Sequence, residues 1–412
     1  MRERIKEIFF PLFALFVLFN GEIFTAFFVI TGITLDTGMR ARQAILIAGI
    51  AYFMLAVDIV RGRLSQRNMV QLAVLGLILA LYILTGFFHR PGFEHIHHRI
   101  YMMLYGALCI PAAYVGMRLA KGGYESRFLR FLPFFLLLII LSIGYLVIFR
   151  AAQGSIVGFE EGDVTSYQGA SYALSFSCSY CLFWLFFANQ KNGALGKIMY
   201  CAVLVMAFVS GIGCIVGGGR GAFLHLICST AYIIYRVLGR NERRSRFGKY
   251  FLIVAGAIVM VYLSIHFNIF ESAGAMRVAN NLMADSAREY ARKVAIDSFL
   301  KSPILGHGVG SVWWEVGFYS HNVLLDFLVE TGGIGALIMV VTVCTMLIKL
   351  MKDSKTNSLD MFILLVMLAM LVEHTFSGYW IASHNSFLVF GYVYGKNRAV
   401  NRRYARGMYG RY

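Results

Sequence analysis

Apolar residues in this chain run in long blocks rather than at helical or strand spacing. Hydrocarbon-spanning helices need roughly 17–25 mostly apolar residues. Blocks of that kind lie at 8–33, 43–60, 69–88, 100–119, 131–149, 170–189, 196–216, 221–238, 250–270, 322–350, 358–374 and 377–395. The last is interrupted by Ser383, His384 and Asn385. The pattern predicts an all-α polytopic membrane protein of about 12 transmembrane helices. It forms a single membrane domain over 1–412, with one large external loop, 271–320, between the ninth and tenth spans. Gly217-Gly218-Gly219-Arg220 divides the apolar run 196–238 and reads as a tight external hairpin; one long kinked region is the alternative.

The polar interruptions orient these spans. With the N-terminus inside, 27 of the 38 lysines and arginines fall on cytoplasmic segments, most densely at 236–249 and 396–411. This is the positive-inside pattern, and it predicts an even number of spans with both termini cytoplasmic. The first span follows a basic N-terminus with no small-residue cleavage site and reads as retained. Composition agrees, with 59% apolar and 14% charged residues, against about 25% charged in soluble domains. The net charge of +17 therefore reports topology and anionic lipid rather than nucleic-acid binding. All seven cysteines lie in apolar runs, so Cys178-Ser-Tyr-Cys181 reads as small apolar packing, not a redox motif. No inverted repeat of the transporter kind is visible.

Candidate chemistry concentrates late in the chain. Arg220 stands at a span start, where a cation at membrane depth needs a polar partner; a phosphate partner and a lipid-snorkelling arginine are both open readings. Ser286-Ala287-Arg288-Glu289 fits a capping box, predicting a helix from Ser286 to about Ser302, stopped by Pro303. Arg288 in its first turn opposes the helix dipole unless an anion binds there; a solvated face shared with Arg292 and Lys293 is the alternative. His321, in Ser320-His321-Asn322, has the side chain best poised to take a proton near neutral pH. His384 occurs in a second Ser-His-Asn triplet and reads as a hydrogen-bonded structural histidine. The glycines of 306–310 match neither dinucleotide nor phosphate-loop patterns and read as a flexible linker. Trp313, Trp314 and Tyr319 are either sugar-stacking platforms or an interfacial belt. Asp326 and Glu330 share a helix face, and Glu330, nearly opposite His321 on a straight helix, reads as structural. The histidine-rich 89–99 and the acidic Glu160, Glu161 and Asp163 match no metal motif.

Residues 217–335 resemble the bacterial O-antigen ligase and O-antigen polymerase superfamily. The likeness rests on Arg220-Gly221, a loop arginine, Pro-x-x-Gly-x-Gly-x-Gly (Pro303 to Gly310), His321-Asn322 and Glu-x-Gly-x-x-Gly (Glu330 to Gly335), in that order. Ala295 falls where the family carries a small residue. Gly219 stands where the family often has serine, and Arg292 where a tryptophan is common. Gly333 replaces a usual branched apolar residue.

The resemblance implies a GT-C-like membrane glycosyltransferase, inverting and independent of metal or other cofactor. It would act on the outer face of the bacterial cytoplasmic membrane on an undecaprenyl-pyrophosphate-linked glycan. It also implies His321 as general base and Arg220 and Arg288 as pyrophosphate ligands. Trp313, Trp314, Tyr319 and Asn322 are candidate sugar contacts on residue type alone. Expected partners are membrane lipid and the chain-length regulator and flippase of a polysaccharide pathway. Polymerase and ligase share this chemistry; the reading taken is a polymerase of lipid-linked repeat units, because nothing in the chain implies an outer membrane, with ligase-type transfer of a finished glycan to a lipid or protein acceptor as the alternative. A lipid-linked glycan flippase, or a cell-wall polymerase relying on an acidic loop residue such as Asp285, are the competing readings.

Overall fold

The computed structural model describes residues 2–31, 37–89, 96–121, 123–156, 165–188, 194–239, 272, 276, 286–308, 310, 311, 320–376 and 384–396. These form thirteen helices and no strand: α1 Arg2–Leu18, α2 Asn20–Thr31, α3 Thr37–Val60, α4 Gln66–His89, α5 Ile96–Ala120, α6 Glu125–Ala152, α7 Tyr167–Phe187, α8 Ala194–Val216, α9 Arg220–Leu238, α10 Ser286–Lys301, α11 Val323–Asp353, α12 Ser358–Phe376 and α13 His384–Gly395. Among the described residues seven helices are long and apolar enough to cross a membrane, or eight if α1 and α2 count as one broken span. The candidate span 250–270 lies outside the described residues.

Helix α7 is the axis. It buries residues around its whole circumference, from Ala170 to Phe187, as expected of a helix apolar on all sides. Its serines do not interrupt the core, because their hydroxyls find carbonyls: Ser177 Oγ donates to Ala173 O (2.7 Å) and Ser175 Oγ to Ala222 O of α9 (2.8 Å). Ser179 and Ser229 bridge the same two helices at 2.5 Å. Small residues with satisfied hydroxyls let membrane helices approach closely. Cys178 and Cys181 are buried free thiols, and Cys178 Sγ lies 3.2 Å from Ala207 O of α8.

Ion pairs and polar bonds mark one end of the bundle. Arg118 meets Asp58 at 3.3 Å and lies over the Phe10 ring. Arg236 donates to both Ser354 Oγ (2.7 Å) and Ser354 O (2.9 Å). Lys396 binds Asp353 and Asp360, and Asn357 reaches Glu125 at 3.1 Å. The N-terminal helix and the last described residue thus share one end. The chain leaves α9 there, beside Arg236, and re-enters α10 at the opposite end. The apolar stretch 250–270 lies between these points in the sequence.

Three sequence expectations change. The first apolar block, 8–33, is not one straight span: α1 and α2 meet at an 83° bend. Asn20, buried at the bend, is bonded by Gln43 of α3, and His384 Nε2 lies 2.6 Å from Val17 O. In an unbroken helix that carbonyl would accept from Gly21, so His384 occupies an acceptor the bend exposes.

The block 322–350 is also broken. Gly332 adopts φ 67°, ψ −172° within α11, and the exposed apolar side chains Ile334, Leu337, Ile338 and Val341 follow it. The part after the bend, 333–353, is about 31 Å long at the helical rise, close to the hydrocarbon thickness of about 30 Å. Finally, α13 has only 12 residues, about 18 Å, too short to cross by itself. It packs within the bundle, with Phe387, Leu388, Val389 and Tyr392 buried.

Candidate active site at the helix starts

At the end opposite the ion pairs, α8 stops at Val216 and α9 starts at Arg220, with three glycines between them. The expected hairpin is present, and two separate helices replace the kinked alternative. Gly219 N–H donates to Ser171 Oγ of α7 at 3.1 Å. A side chain at Gly219 would strike Ser171 Cβ at 2.6 Å. α7 thus places a hydroxyl against this turn.

Gly221 is tighter still, because a Cβ there would lie 2.0 Å from Tyr172 Oη and 2.9 Å from Phe376 Cβ. Gly221→Ala is expected to push α7 and α12 away from the start of α9. Overpacking of this kind costs about 1–3 kcal/mol, checked by thermal unfolding in detergent. An unchanged midpoint would show that the contact is not tight.

Phe376 lies between the starts of the two arginine-bearing helices. Its Cβ faces Gly221, next to Arg220, and its carbonyl accepts from Arg288 Nη1 at 3.1 Å. This resolves the conflict in the sequence. Arg288 sits in the first turn of α10, where a cation is disfavoured. Its guanidinium instead reaches the last residue of α12, at the negative end of another helix with an unsatisfied carbonyl. Arg220 and Arg288 are both half-buried, whereas Arg292 and Lys293 are exposed.

His321 sits at the same end. Ala295 of α10 packs on Val329 of α11, with Phe299 and Leu325 around them, and farther along Gly333 N–H donates to Pro303 O at 2.8 Å. These two levels make α10 and the first part of α11 run in the same sense, so Arg288 and His321 head neighbouring helices. His321 is the one non-glycine residue with positive φ (58°) among the described residues. Asn322 caps α11, its Oδ1 accepting from Leu324 N–H (3.1 Å) and Leu325 N–H (3.2 Å). That gives Asn322 a structural task the sequence reading did not assign. Trp313, Trp314, Tyr319 and Asp285 lie outside the described residues.

The glycine-rich segment is a clamp, not a flexible linker. The bend at Gly332 frees the carbonyls of Val329 and Glu330, which accept from His307 N–H (2.8 Å) and Gly308 N–H (2.9 Å). Gly306, Gly308 and Gly310 all have positive φ, at 73°, 85° and 74°. Glu330 Oε1 accepts from Gly310 N–H at 2.7 Å, so its reading as structural agrees with the geometry. Among the described residues no group of three His, Cys, Asp or Glu is arranged for a metal ion. The side chains of the histidine-rich segment 89–99 are outside that set.

Fold and site together define a polytopic helical membrane protein with two arginines and a histidine gathered at one end of its bundle. Residues 205–340 match the family model described as O-antigen ligase. The matched segment takes in Arg220, Arg288, the clamp and His321, and supports placing the chain in the O-antigen ligase and polymerase superfamily of membrane glycosyltransferases. No curated protein and no solved structure matches the chain. Ser171, Tyr172 and Phe376 complete the site from outside the matched segment. In sequence they are ordinary residues of apolar helices, with no signal to find them.

Proposed function

We propose that this protein joins lipid-linked polysaccharide repeat units, acting as an inverting polymerase at the outer face of the bacterial cytoplasmic membrane. The observation that carries this reading is the packing of the start of α9, at Arg220-Gly221, against Phe376, whose carbonyl Arg288 binds, at the end of the bundle where His321 stands. Two permanent cations in a low-dielectric setting suit a leaving pyrophosphate, whose charge grows as the bond to the sugar breaks. No metal is needed for that task.

His321 takes the proton from the acceptor hydroxyl. The hydroxyl oxygen forms the new bond to the anomeric carbon, and the electron pair of the old bond leaves with undecaprenyl pyrophosphate. The donor carries its own energy in the pyrophosphate linkage, as transfer on the outer face requires. The basic end, with Arg118, Arg236 and Lys396, faces the cytoplasm. A chain-length regulator and a flippase of the same polysaccharide pathway are the expected partners.

The test is elongation of undecaprenyl-pyrophosphate oligosaccharide by the purified protein, with and without EDTA. A ladder of lipid-linked lengths that persists in EDTA is expected. A single discrete product on a lipid or protein acceptor would make the protein a ligase. Movement of labelled lipid with no glycan joined would make it a transporter.

A further inference from the structure

The first turns of α11 carry two enclosed carboxylates, Asp326 (0% exposed) and Glu330 (2%). Each accepts a backbone N–H from outside its own helix: Ser320 N–H to Asp326 Oδ1 at 3.0 Å, and Gly310 N–H to Glu330 Oε1 at 2.7 Å. One helix face thus ties down both flanks of the tryptophan-bearing segment. The Glu330 tie belongs to the clamp. The Asp326 tie falls on the residue immediately before His321.

That position matters because of the backbone at His321. Its φ of 58° is one that residues with a Cβ avoid, and they hold it only where neighbours impose it. Here the neighbours do. Ser320 is fully buried, its Oγ donates to Asn322 O (3.1 Å) and accepts from Asn322 N–H (3.2 Å), and Asn322 is fixed as the cap of α11. The Asp326 carboxylate ties this turn to the body of α11 beyond its cap. Without it Ser320 N–H is a buried donor lacking that acceptor, and relaxation of the turn toward an ordinary φ would re-aim the imidazole.

We propose that Asp326 is a positioning residue for His321, acting through the Ser320 backbone rather than on the substrate. This rests on the reading of His321 as the base. Only Oδ1 is used; Oδ2 has no hydrogen-bond partner among the described residues. Asparagine at 326 therefore keeps the acceptor, and alanine removes it.

The experiment is steady-state elongation by purified wild-type protein and by the D326A, D326N, H321A and D326A/H321A variants. A misplacement of about 1 Å at a reacting group costs on the order of 10²-fold in rate. D326A should accordingly lose about 10- to 100-fold in kcat, with KM for the lipid-linked donor changed by less than about 2-fold. D326N should restore most of the rate. In the H321A background, D326A should change the residual rate by less than about 2-fold, since it acts only through the missing imidazole.

A D326N as impaired as D326A overturns the backbone role, and so does a full further loss in the double variant. Wild-type kcat in D326A overturns the proposal outright. If D326A fails to fold, D326S takes its place against D326N, because its shorter hydroxyl does not span the distance the carboxylate covers. H321A alone reports on the base: if it is as active as wild type, the reading of His321 fails, whatever Asp326 does.

Discussion

His321→Ala is expected to lower glycan transfer by about 10²–10⁴-fold, the usual contribution of one general base, with the protein still folded. The imidazole is half-buried at the head of α11. Hydrogen bonds from Ser320, Asn322 and Asp326 shape its turn. Alanine also relieves little of the positive-φ strain, since that strain comes from the Cβ it retains. Arg220→Ala and Arg288→Ala should fall with it, through loss of charge at the leaving group.

His384→Ala is the informative comparison. Its ring lies 2.6 Å from Val17 O at the bend between α1 and α2, far along the chain from the matched family segment. It should affect thermal stability and leave transfer measurable. The comparison is made by single-turnover transfer with all four variants at matched folded concentration. Full activity in His321→Ala, or equal loss in His384→Ala, would sink the assignment of the base.

Gly332→Ala should be strongly destabilising. The backbone there, φ 67° and ψ −172°, lies in a region essentially confined to glycine, worth about 1–3 kcal/mol of strain for other residues. The added Cβ would stand 2.2 Å from Ile304 O and 2.5 Å from Leu305 N. Backbone cannot swing aside as a side chain can, so overpacking adds about 1–3 kcal/mol more. Gly306→Ala meets the other side of the same contact, 2.5 Å from Glu330 C and Gly332 N, at φ 73°. Because both changes break one clamp, their effects should be strongly non-additive. Denaturation midpoints of the two single variants and the double variant in one detergent check this. Wild-type stability in Gly332→Ala would mean that α11 straightens without cost and that the clamp is not required.

The clamp also shows where legibility in the sequence ended. The glycines, Pro303 and Glu330 were all visible, and their order carried the family resemblance. Their purpose was not visible, because positive φ at Gly306, Gly308 and Gly310 reads the same in a flexible linker as in a packed turn. The difference is the partner surface, and that surface exists only once α11 bends. Asn322 is a similar case. A cap and a sugar ligand use the same side-chain oxygen, and only its 3.1 and 3.2 Å bonds to Leu324 and Leu325 N–H identify the cap. Arg288 looked miscast in the first turn of α10 because the C-terminal carbonyl it serves, at Phe376, is 88 residues away.

The helical membrane class, the helix from Ser286 stopped at Pro303, the turn before Arg220 and the candidate residues Arg220, Arg288 and His321 were all legible from residue order. Each of these depends on hydrophobic run length, local capping chemistry or residue type, all of which are short-range. Tertiary structure alone decided the bends at residues 19–20 and at Gly332, the meeting of two arginine-bearing helix starts on Phe376, and the hold of Asp326 on the turn of His321. Those features rest on contacts between groups distant in sequence or on backbone angles that only packing selects. Such contacts leave no periodicity behind, because one buried carboxylate or one carbonyl at a helix end looks like any other until its partner is in place.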